Sequence, residues 1–193
     1  WVAGSVASGA ADGTRAVATL SGVCGVAFDA FAGDVVACDW NSHRVRRVSE
    51  LGRVNTWVGS GAGASTTGIR TLAAVFKPYF TASSAAGDVY LTEDAGCVVS
   101  KITAAGSLTH FAGTALSCSH AVGVAGAASF HNPAGIALFG TKLSVAQLRT
   151  PYIRTINTAT SDAQVLAGTG VAGFNDGAAD AASFSLPYGC AFD

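Results

Sequence analysis

Four histidines and a scatter of aspartates are the residues through which this chain could do chemistry. His120 and His131 stand in one stretch of small residues and could approach each other as a metal-binding or acid–base pair. No neighbouring acid or third ligand accompanies them, so they are a candidate binding pair with no metal ligand and no catalytic residue assigned. His43 and His110 have structural explanations. Asp12 with Gly13, and Asn175 and Asp176 with Gly177, offer oxygens of the kind calcium takes. Each loop carries one acid or an Asn-Asp pair rather than a ligand set, so turn chemistry at Asp12 and Asp176, with the side chain bonding its own backbone, is the stronger reading. Asp39 and Asp94 recur at matching places and read as acceptors for backbone N–H groups.

The stretch HRVRRV from His43, with Arg53 nearby, is the one basic cluster. Arg44 and Arg46 would point the same way along a strand, which an RNA-binding face through Arg44, Arg46 and Arg53 would need. Aromatic residues are not interleaved and the net charge is -1, so a solvated strand is the stronger reading. The sequence shows no Ser-His-Asp set, GxSxG elbow or phosphate-cradling glycine motif. No cofactor is expected.

Strands must position these side chains. Charged residues make up 12% of the 193, hydrophobic residues 50%, and glycines number 24, which leaves little material for amphipathic helices with charged outer faces. The near-neutral charge gives no bulk attraction to nucleic acid or anionic membrane. No run approaches the ~18 apolar residues of a membrane-spanning helix. Lysine is confined to Lys77, Lys101 and Lys142, a scarcity that leans toward an extracellular or cell-surface protein.

The chain repeats itself. WVAGS, WVGSG, HFAGT and VLAGT bring Gly4, Gly59, Gly113 and Gly168 round every 54 or 55 residues. VCGVAFD, KPYFTAS, NPAGIAL and LPYGCAF keep the same beat, with Pro78, Pro133 and Pro187 in phase and Val23 in that place in the first copy. Within the first unit, four strands are expected at Gly25 to Asp29, Asp34 to Asp39, His43 to Val48 and Val54 to Val58, joined by turn residues. Four antiparallel strands recurring at about 55 residues define propeller blades.

That strand order brings Cys24 nearly opposite Cys38, and places Cys97 in a turn on the same face as Cys118 in the next entry loop. In an exported protein Cys24–Cys38 and Cys97–Cys118 would be candidate disulfides, with Cys190 left over. Five thiols stand ahead of that pairing, because directly opposed strand positions often give poor disulfide geometry.

AGTGVAGFNDGAADAASFSLPYGCAFD (Ala167 to Asp193) and DVVACDWNSHRVRRV (Asp34 to Val48) resemble the NHL-repeat family of β-propellers, with its Ala-Gly turn, GfxDG loop and N-h-r-I-r-k-i strand. The second unit departs by lacking the Asp-Gly loop, and the third by carrying Gln147 where the first ends a strand in aspartate. The expectation is one all-β domain over 1–193, with blades at about 23–58, 78–112 and 133–167. Strands 1–3 and 189–193 would belong to neighbouring blades, and further blades or another copy would complete the incomplete ring. The expected function is a non-catalytic scaffold whose loops recognise a protein or peptide. Two alternatives stand: a metal-dependent hydrolase or lyase of the propeller type, and RNA binding through the basic strand.

Overall fold

The computed structural model describes residues 3–193, so Trp1 and Val2 of the strand expected at 1–3 lie outside the described residues. Among the described residues the regular structure is strands and three short 3-10 turns. Among these residues no helix is long and apolar enough to cross a membrane.

Three sheets follow one another along the chain. The first comprises β1 (Val23–Asp29), β2 (Asp34–Asp39), β3 (Arg44–Val48) and β4 (Val54–Val58), paired in that order. The second holds β5 (Gly68–Ile69), β6 (Pro78–Ser83), β7 (Val89–Glu93), β8 (Val98–Ile102) and β9 (Ser107–Ala112), in the order β5-β9-β8-β7-β6. The third holds β10 (Gly123–Val124), β11 (Pro133–Phe139), β12 (Lys142–Gln147), β13 (Ile153–Asn157) and β14 (Asp162–Ala167), in the order β10-β14-β13-β12-β11. Each is a four-strand meander, and in the second and third a two-residue strand adds to the last strand of the meander. A strand of two residues has no periodicity to read, so the sequence gives no sign of β5 or β10.

Turn chemistry sets the hairpins. The Asp29 carboxylate accepts the N–H groups of Phe31 at 3.1 Å and Ala32 at 3.4 Å, and Gly33 takes a φ of 73°, closing β1 onto β2 as an Asx turn. Residues 189–193, expected as a strand, carry no strand pairing. The nearby Tyr188 carbonyl accepts the Gly135 N–H of β11 at 2.8 Å, and one such bond is fewer than a ladder requires.

The chain forms two compact units, residues 1–91 with 101–109, and residues 92–100 with 110–193. In the first, Val36 and Cys38 of β2, Val45 of β3 and Trp57 and Val58 of β4 share a core with Val89, Leu91, Ile102 and Leu108. Full burial of each such aliphatic side chain stabilises the fold by about 1.5–3 kcal/mol. Strand β1 can lie against β6 because position 25 is glycine: a Cβ there would stand 2.5 Å from the Phe80 Cα and 2.6 Å from the Tyr79 carbonyl oxygen. Gly135 holds the matching place in the second unit, where a Cβ would meet the Gly189 Cα and the Tyr188 carbonyl oxygen, each at 2.7 Å. In both sheets the ladder slips at that glycine, between Val23 and Val26 and between Pro133 and Ile136.

Candidate functional site

Fully buried polar side chains recur at one address, the last residue of each sheet's second long strand and the residue seven positions on. In the first sheet these are Asp39 and Arg46, both fully buried. The Asp39 carboxylate accepts from Arg46 Nη1 at 2.9 Å and from the Ser21 N–H at 2.7 Å. Arg46 Nη2 donates to the Asp12 carboxylate at 2.8 Å and the Ala11 carbonyl at 3.0 Å, and Nη1 also donates to the Thr19 carbonyl at 3.2 Å. In the second sheet the address holds Glu93, which accepts from the Ser100 hydroxyl at 2.5 Å. In the third it holds Gln147 and Arg154, joined at 3.1 Å, and Arg154 also donates to the carbonyls of His120, Ser129, Ala121 and Gln164. The partnership changes from acid and base, to acid and hydroxyl, to amide and base.

This geometry revises several expectations. Arg46 is not part of a solvated strand. β3 keeps an unbroken register with β2, and the loop through Ala11, Asp12 and Thr19 covers the side chain of Arg46, so the three arginines do not form an open basic face. Arg44 bonds the Ser42 and Ser60 carbonyls, and Arg53 is exposed beside Asn55. Asp12 makes long-range bonds rather than a local turn. Its carboxylate accepts from the Thr56 N–H and hydroxyl at 2.8 and 2.9 Å. Burial raises its pKa, but these bonds and Arg46 outweigh that and hold it below the ordinary carboxylate value. Asp94 lies one residue past the equivalent address, which Glu93 fills, and its carboxylate accepts from Asn132 Nδ2 at 2.8 Å. Asp176 is exposed in its loop.

His120 rests against Tyr152 with ring centroids 5.8 Å apart. Burial, then the charges of Arg149 and His120, push the His131 pKa below its ordinary value. Among the described residues no three His, Cys, Asp or Glu side chains converge as a metal site. Cys97 and Cys118 form a disulfide with Cα atoms 5.2 Å apart. Cys24 and Cys38 are thiols, because the slip at Gly25 leaves Cys24 exposed while Cys38 enters the core.

A surface cluster in the first unit has no counterpart in the sequence reading. Lys77 Nζ sits 3.9 Å over the Trp40 ring, and Tyr79 lies 6.4 Å from Trp40 between centroids. His43 packs on Phe76 at 5.4 Å, and its Nδ1 accepts the Lys77 N–H at 3.2 Å. Burial first, then Lys77 and Arg44, lower the His43 pKa, favouring the neutral ring that this bond requires. Trp40 Nε1 is buried and lacks a hydrogen-bond partner. His43 and Lys77 both take positive φ, 55° and 53°, so two unusual backbone turns hold the cluster in place. The one signal available in the sequence was the turn WNSH, 37 residues before KPYF.

No family model and no curated protein matches the sequence. Solved structures do match in fold. An auxiliary nutrient binding protein from Bacteroides thetaiotaomicron is similar with a TM-score of 0.59 and 13% identity over 93% of this chain and 56% of that one. A structural-genomics protein of unknown function from the same organism gives 0.57 and 16% over 100% of this chain and 70% of that one. A catalytically inactive virginiamycin B lyase from Staphylococcus aureus, solved with quinupristin, gives 0.55 and 16% over 89% and 47%. At this identity the likeness speaks to fold, and the fold is that of the β-propellers, all-β and built from repeated antiparallel sheets.

Proposed function

We propose that this chain is a recognition scaffold of the NHL-like propeller kind, and that it binds protein or peptide through the loop surface around Trp40, Lys77 and Tyr79. The observation that carries the reading is the Lys77 ammonium 3.9 Å over Trp40 with Tyr79 alongside. Hot spots of protein-binding surfaces are enriched in tryptophan and tyrosine, and Trp40 and Tyr79 supply both here. By contrast, the recurring buried polar groups are occupied in holding loops to strands, which is a structural task. A nutrient binding protein and a lyase share the fold alike, so the choice of binding over chemistry rests on the Trp40 cluster. The Cys97–Cys118 bridge supports an oxidising compartment, in line with an exported protein.

Selection from a displayed peptide library tests this directly. Peptides carrying acidic and aromatic residues are the expected winners, and Trp40→Ala or Lys77→Glu should abolish their binding while leaving the circular dichroism spectrum intact. Selected peptides indifferent to both substitutions would refute the assignment. Conversion of quinupristin by the purified protein would favour the enzyme alternative.

A further inference from the structure

His43 is the histidine beneath the Trp40 surface, and its contacts depend on its charge. Nδ1 accepts the Lys77 N–H at 3.2 Å, which only an unprotonated Nδ1 can do. The ring packs on Phe76 with centroids 5.4 Å apart. Lys77 faces it from the segment before β6 and Arg44 from the start of β3, and both charges bear on the ring. The loop at Gly63, where a Cβ would stand 3.6 Å from His43 Nε2, brings no titratable group, and neither does the turn Trp40–Ser42 that precedes it. Among the described residues no carboxylate lies within ion-pair distance of His43, Arg44 or Lys77.

The backbone does not need this histidine. Lys77, Asn132 and Leu186 each precede a landmark proline and each take a φ between 51° and 53°. Yet the place of His43, four residues past Asp39, is held by Cys97 after Glu93 and by Pro151 after Gln147. Cys97 is bonded to Cys118 instead. The turn therefore forms without an imidazole beneath it. What His43 adds is a contact governed by one proton, under the copy that carries Trp40, Lys77 and Tyr79.

We propose that His43 is a proton-operated switch for this surface. With the ring neutral, the Lys77 ammonium sits over Trp40 and the surface is ready to bind. With the ring protonated, the pairing is dismantled, and a partner held at neutral pH is released in acid. Release, as opposed to the rearrangement itself, rests on the docking role proposed above for the Trp40 surface. Proton uptake at Nδ1 sets donor against donor across the 3.2 Å contact. It also adds a cation beside Lys77 and Arg44 with no acid to balance it. The Lys77 ammonium, on a flexible four-carbon stem, is the group that can move away.

Isotope-labelled protein titrated from pH 8 to pH 5 tests the switch, with the His43 imidazole, the Lys77 amide and the Trp40 indole followed together. All three should move with one midpoint below 6.5, the ordinary histidine value. In His43→Gln, which keeps a neutral acceptor, the Lys77 amide and Trp40 indole should hold still. The acidic, aromatic peptide selected on this surface at pH 7.5 should bind about tenfold more weakly at pH 5.5, the scale of one lost hydrogen bond, and His43→Gln should remove that loss. A Lys77 amide or Trp40 indole that ignores the His43 titration in the wild-type protein overturns the switch, even where His43→Gln fails to fold. So does an equal response in a folded His43→Gln. Unchanged peptide affinity at pH 5.5 overturns release. The titration needs no partner, so a library that yields no peptide counts against the docking surface and not against the switch.

Discussion

Replacing Arg46 by methionine isolates the buried polar pairing, because methionine fills the shaft's volume and supplies no donor. Four acceptors lose their partner at once: the Asp39 and Asp12 carboxylates and the Thr19 and Ala11 carbonyls. Ala11 keeps the Thr19 N–H and Asp12 keeps Thr56. Asp39 is the costly one, since it is fully buried and retains one backbone donor, Ser21. Breaking a buried pair from one side costs about 3–5 kcal/mol. The Gln147–Arg154 pair gives the control, because it places a neutral amide where Asp39 stands. Asp39→Asn should cost only about 1–2 kcal/mol, the scale of a weakened hydrogen bond. In the double variant Asp39→Asn with Arg46→Met no buried charge is left at this address, so it should be more stable than Arg46→Met alone. Urea unfolding followed by tryptophan fluorescence measures all three, with Trp57 reporting on the first unit's core. A cost below 1 kcal/mol for Arg46→Met, or a double variant less stable than Arg46→Met, would refute the reasoning.

Other outcomes follow from the same geometry. Gly25→Ala places a methyl 2.5 Å from the Phe80 Cα, so thermal unfolding should show a loss of about 1–3 kcal/mol from overpacking, whereas Gly189→Ala, with nothing within 4 Å of its Cβ, should cost less. Burial and neighbouring charge lower the pKa values of His43 and His131, and burial lowers that of His110. The folded state therefore binds protons less readily than the unfolded chain, and stability present above pH 6.5, the ordinary histidine value, is lost as pH falls below it. A Tm that falls between pH 7.5 and 5.5, with the fall reduced in His43→Gln, is expected; a Tm that rises over that interval contradicts it. Reduction of Cys97–Cys118, which closes a 21-residue separation, should lower stability by about 3 kcal/mol on the loop-entropy estimate, measured as a shift in denaturation midpoint with and without reductant.

The sequence carried the repeat clearly, because glycine at positive φ after each outer strand and the paired proline landmark are dictated by backbone geometry that few residues can supply. Which polar side chain turns inward was much harder to read. In TEDAG the choice between Glu93 and Asp94 depends on where β7 stops, a difference of one residue that reverses the facing. Arg46 looked solvated because Arg44 and Arg46 share parity in an ideal strand. Burial comes instead from a loop through Ala11, Asp12 and Thr19 that closes over Arg46, and one through Ala121 and Ser129 that closes over Arg154, long-range contacts that no local spacing reveals. The Trp40–Lys77 contact joins residues far apart in the chain through two strained turns, and neither turn announces itself in composition.

The two-residue strands have a consequence for how the molecule behaves in a crowded solution. Gly68 and Ile69 occupy the ladder of β9, and Gly123 and Val124 that of β14, while Gly13 and Val54 exchange two bonds along β4. Each takes up part of the hydrogen-bonding row that a foreign strand would need in order to start a fibril. Small as they are, these caps are a defence against polymerisation, and they serve a chain whose low charge offers little mutual repulsion.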